Sequence, residues 1–111
     1  MKISALLPSL VLLSACGAEG ETDERTILLG EIETCLNQAT AGALLDDARA
    51  SAAVDTCAEQ ISSYSRYNIE EAFGRRLVPD DLEMMGFFNE HRGAFRKFVI
   101  RKLTTGEGEW Q

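Results

Sequence analysis

The chain has 111 residues and a net charge of −7, with 18 Asp and Glu against 11 Lys and Arg. That length makes one small domain with a modest core, burying only about 60–65% of the surface that the unfolded chain exposes. The acidic balance argues against a nucleic-acid partner, because affinity there comes mainly from Lys and Arg neutralising phosphates.

Residues 1–15 read as a targeting segment rather than as part of the fold. Lys2 is followed by the apolar run Ile3 to Leu13, too short to span a bilayer, which needs about 20 residues. The run ends in Leu13-Ser14-Ala15-Cys16, which resembles the lipobox of bacterial lipoprotein precursors. The resemblance covers residues 1 to about 17. It implies a lipid, palmitate included, on the Cys16 thiol, and cleavage that leaves Cys16 as the new N-terminus. Cys16 and Ala18 also form a small-x-small pattern, whose use by an ordinary signal peptidase would release a soluble periplasmic protein. The large Leu13 suits the lipobox and spoils an ordinary cut after Ala15. Residue 17 is Gly; in the enterobacterial lipoproteins that the pattern resembles, Asp there favours inner-membrane retention. The expected location is therefore the outer membrane, facing the periplasm. Residues 16–22 form a lipidated cysteine and a short tether, reaching at most about 3.5 Å per residue.

The helical domain is expected over residues 23–103. Thr22 offers an N-cap, Asp23 and Glu24 suit the positive end of a helix, and Leu28, Ile32, Cys35 and Ala39 mark one face up to a stop at Gly42. A second helix starts between Ala43 and Ser51, with Ala50, Val54, Cys57, Ile61 and Tyr64 on its stripe. Once Cys16 is assigned to lipid, Cys35 and Cys57 remain as an even pair for an oxidising compartment. Both lie on apolar stripes. A disulfide needs Cα atoms about 5.5 Å apart, so the two must sit level in the hairpin. That requires the second helix to begin near Asp47 to Ser51, with Ala43 to Asp46 as a loop. Asn68 and Glu71 form a capping-box pattern for a short third helix through Ile69, Ala72 and Phe73, limited by Gly74 and Pro79. Pro79 suits the first turn of a last helical segment, residues 79–103, carrying Leu82, Met85, Phe88, Phe95, Phe98, Val99 and Leu103, either as one helix or as two broken near Gly93. Gly86 and Gly93 lie seven apart, where they would admit a neighbouring helix. Residues 104–111 read as a flexible tail. The fold class is all-α, a small bundle of about four helices with one disulfide between the first two.

Little in the chain points to chemistry. The doublets Asp46-Asp47, Glu70-Glu71 and Asp80-Asp81 are read as sitting where helices begin, which suits capping. His91, with Met84 or Met85, could in principle ligate haem, but no C-x-x-C-H is present and an edge-of-core histidine is the plainer reading. No nucleophile elbow or two-histidine zinc signature occurs. The expectation is a non-enzyme with no cofactor and no metal. Residues 17–64 carry ten acids and two arginines, 65–111 carry eight of each sign, and all eight aromatics lie at or after Tyr64, so the halves are expected to pack on each other. The basic run Arg92, Arg96, Lys97, Arg101 and Lys102, together with Trp110, is the candidate lipid or partner contact. The functional expectation is a lipid-anchored binding or assembly accessory for an unknown envelope protein, held at the membrane through Cys16. A pilotin-like escort of a secretion-system component and a peripheral lipid-surface or structural protein are the alternatives.

Overall fold

The computed structural model describes residues 23–108, and within them forms four helices and no strand: α1 (Glu24–Thr40), α2 (Asp47–Thr56), α3 (Ala58–Phe73) and α4 (Leu82–Thr105). Cys16 and Trp110 lie outside the described residues. Asp23 is the cap of α1, its Oδ1 accepting from the Thr26 N–H at 2.9 Å, in place of the expected Thr22. The helix ends at Thr40, where Ala41 takes the left-handed cap conformation (φ 54°) and Gly42 follows it at φ 80°. Ala43 to Asp46 is a loop, as level cysteines require, and Asp46 caps α2 by accepting from the Arg49 N–H.

The second predicted helix divides at Cys57 instead of ending before Asn68. At Cys57 the backbone turns to φ −102°, ψ 22°, and its N–H is shared between the Ala53 and Val54 carbonyls. Thr56 donates from its hydroxyl to the Ala52 carbonyl one turn back, a bond that bends helices. The chain then stays helical past Asn68. The Asn68 side chain donates to the Tyr64 carbonyl and accepts from Arg25 on α1, so it does not cap a new helix. Glu70 and Glu71 accordingly fall near the end of α3, and Glu70 accepts from the Leu77 N–H beyond the helix.

Pro79 and Asp80 form a turn ahead of α4, which begins at Leu82. Asp81 is its cap, with Oδ1 accepting from the Met84 N–H and Oδ2 from Arg75. These donors, Arg75 first, hold the Asp81 carboxyl below the usual carboxylate value. Helix α4 is unbroken at Gly93 and runs through Thr105, two residues past the predicted boundary. A Cβ added at Gly86 or Gly93 would meet nothing within 4 Å, so neither glycine admits a neighbouring helix.

The kinked α2–α3 rod is the centre of the bundle, with α1 and α4 each packed against it. Leu28, Leu29, Ile32 and Leu36 of α1 meet Val54, Cys57, Ile61 and Tyr64 of the rod and Val99 of α4. Leu28 and Ile32 are buried as expected, but Cys35 sits at the edge of that core and Ala39 is exposed, with Leu29 and Leu36 buried in their place. The Cys35–Cys57 disulfide, with Cα atoms 6.0 Å apart, ties α1 to the joint of the rod. A smaller cluster at the other end of α3 and α4 buries Ile69, Met84 and Phe88, with Phe73, Leu77 and Met85 around them. Met84 thus takes the buried place that was expected of Leu82, which is 81% exposed.

The acidic and aromatic halves do pack on each other. Tyr64 of α3 and Phe95 of α4 contact at 4.8 Å between centroids, and the Leu45 N–H donates to the Leu103 carbonyl across the two halves at 2.9 Å.

Candidate functional site

A groove of about 340 Å³ runs between the α2–α3 joint and the middle of α4. Its residues come from both sides of the joint: Val54 from the last turn of α2, then Ala58, Ile61 and Ser62 from the start of α3. Val54 and Ile61 are core residues, so the floor is apolar. The facing wall is Asn89, Arg92, Gly93 and Arg96, spaced at three and four residues and hence on one side of α4. Gly93 presents no side chain there, and the space that a Cβ would enter is open.

The two arginines are held differently. Arg96 donates to Asp55 Oδ1 and to Ser51 Oγ, each at 2.7 Å, and so spans from α4 back to α2. The ion pair is partly exposed and worth at most about 1 kcal/mol, so its effect is to aim the guanidinium rather than to hold the fold. Arg92 lies 5.0 Å from the Phe88 ring centre and donates to Asn89 Oδ1. Among the described residues no carboxylate pairs with it. An apolar floor beside one compensated and one uncompensated guanidinium suits an amphipathic segment that carries a carboxylate next to an apolar side chain.

The rest of the basic run does not join this site. Arg101 pairs with Glu107, and Lys102 donates to the Gly108 carbonyl, so both hold the chain after α4 against its own helix. Lys97 is exposed. Arg96 answers a carboxylate of the acidic half, Asp55. Sequence reasoning singled out Arg92 and Arg96 but missed Val54, Ser62 and Asn89 as their companions. Their spacing carries no signal until α4 is known to run unbroken and antiparallel to the rod.

His91 and Ser65 lie outside the groove. His91 Nδ1 and Ser65 Oγ share a hydrogen bond at 2.9 Å between α4 and α3, with the imidazole 5.8 Å from the Tyr64 ring. Ser65 is fully buried, so no substrate can reach its hydroxyl, and the pair acts as a tie between helices. Burial pushes the His91 imidazole below its usual pKa. A group with a depressed folded pKa binds fewer protons than in the unfolded chain, so its contribution is present above about pH 6.5 and is lost as pH falls through the folded value. The wild-type chain should therefore lose more stability than His91→Gln between pH 7 and 5, read as urea midpoints. Parallel profiles would exclude His91 as the source.

Among the described residues no group of three His, Cys, Asp or Glu side chains gathers to hold a metal, and no helix is long and apolar enough to cross a membrane. No family model matches the chain, and no curated protein or solved structure matches it.

Proposed function

We propose that this chain is a lipid-anchored envelope protein, tethered through Cys16 to the outer membrane on its periplasmic side, and that it works as a non-enzymatic binding or assembly accessory. The groove between the α2–α3 joint and α4 carries this reading, because it combines an apolar floor with guanidinium groups aimed by side-chain hydrogen bonds. Its occupant is a segment of an envelope protein with an acidic group beside an apolar one. Pilotin-like escort of a secretion component is one form that such a role takes, suggested by architecture alone. Lipid contact through the basic end of α4 has less support, since Arg101 and Lys102 are engaged by Glu107 and Gly108.

The test places a photoreactive amino acid at Ser62 of the full chain in its native envelope. A discrete protein adduct is expected, and Gly93→Leu, which fills the groove, should abolish it while leaving the thermal midpoint at or above that of the parent. Adducts that persist unchanged in Gly93→Leu would remove the groove as the binding site. Intact mass reads the anchor separately, as acyl mass on a chain that begins at Cys16.

A further inference from the structure

We propose that the α3–α4 tip is a second membrane contact, which inserts Val78, Leu82 and Phe87 at the lipid surface; this rests on the anchor reading of Cys16. The start of α1 and this tip lie at one pole of the bundle. Arg25, in the first turn of α1, donates to Asn68 Oδ1 at 3.2 Å and lies 5.8 Å from the Tyr67 ring, both near the end of α3. The opposite pole holds the α1–α2 loop and the end of α4, joined by the Leu45 to Leu103 bond. The residues from Cys16 to Asp23 span at most about 25 Å, and α1, with 17 residues, carries the far pole about as far from the point of attachment. The far pole reaches the bilayer only with the tether fully extended, so a lipid on Cys16 favours the tip.

Three large apolar side chains are exposed at the tip among charged ones: Leu82 is 81% exposed, Val78 47% and Phe87 46%, at, just before and about a turn and a half beyond the start of α4. The Phe87 ring lies 5.5 Å from that of Phe73, which stacks under Arg75 at 5.3 Å. Arg75 is already paired with Asp81, and exposed Asp80 and Glu83 offset exposed Arg76. The tip therefore has no cationic excess to attract anionic headgroups, and the contact is made by apolar side chains at the boundary of headgroup and acyl chain. Such a contact is insensitive to salt, which separates it from binding through a basic helix. It also fixes orientation: with the tip down, the end of α4 that carries Arg101 and Lys102 points away from the lipid.

The test uses the full chain, processed in a bacterium that lipidates its own lipoproteins, with benzoylphenylalanine replacing Leu82, Phe87 or, at the opposite pole, the exposed Leu44. Intact mass first establishes acylation at Cys16. Photolysis in membranes should then give lipid adducts from positions 82 and 87 several-fold above those from position 44, unchanged between low and high salt. Equal lipid yields at all three positions on an acylated chain overturn the inference. Adducts of position 82 with a protein instead of lipid overturn it in favour of a protein partner at the tip. A chain without acyl mass overturns the anchor itself, and the inference falls with it.

Discussion

Reducing the Cys35–Cys57 disulfide is expected to lower the unfolding free energy by about 3 kcal/mol, because the bond closes a 22-residue separation whose entropy is restored to the unfolded chain. For a domain this small, whose total stability is of the order of 5 kcal/mol, that moves the thermal midpoint down by roughly 12–24 °C. The loss has a local part as well. Cys57 sits at the joint of the rod, where its N–H is shared between two carbonyls and Thr56 bonds back to Ala52. With the sulfur tie gone, no cross-link fixes the α2–α3 joint to α1. The amides of α2 should exchange faster than those of α3 even under conditions where the chain remains folded. Urea unfolding with and without reductant measures the first effect, and the Cys35→Ala, Cys57→Ala double variant should reproduce it without reductant. Midpoints that agree within a few tenths of a molar would show that the bond constrains little that packing does not.

The level placement of those two cysteines was legible from the chain, since a disulfide and one glycine stop together force Ala43 to Asp46 into a loop. The break at Cys57 was not. Position 57 has no glycine, proline or capping residue to mark it, and its apolar stripe continues unbroken from Ala50 to Tyr64; the bend arises from a tertiary tie and a threonine back-bond. Asn68 misled for the converse reason. Its capping-box pattern is a local preference, and it lost to buried Ser65 and Ile69, which keep the α3 face continuous against α4. Leu82 opens α4 directly after the Asp81 cap and stands exposed, whereas Met84 two residues on meets Ile69 and Phe88, a choice of face that the spacing alone did not settle. The groove shows the same limit. Arg92 and Arg96 stood out as charges, but which of five cations share a site depends on their partners: Asp55 and Ser51 for one, Glu107 for another.

Met84→Ala should destabilise the chain by about 2–3 kcal/mol, toward the lower end of the range for emptying a large buried site, because methionine's neighbours at the edge of a small cluster can partly collapse. Met84 is fully buried among Ile69 and Phe88, with Phe73, Leu77 and Met85 around them. This cluster is separate from the one that the disulfide braces, so the bond cannot compensate for the cavity. The end of α3, the connection through Leu77 and the first turns of α4 depend on Met84, and their amides should lose the most protection from exchange. The groove, bounded by Val54, Ile61 and Gly93 in the braced half, should keep its Ser62 adduct. The tip should not keep its lipid adducts, because Leu82 and Phe87 are presented by the helix end that loosens. Urea unfolding with the disulfide intact gives the magnitude, and exchange mapped by residue gives the location. A uniform loss of protection across all four helices would mean that the two clusters unfold as one unit and that the tip has no independent stability for a membrane contact to use.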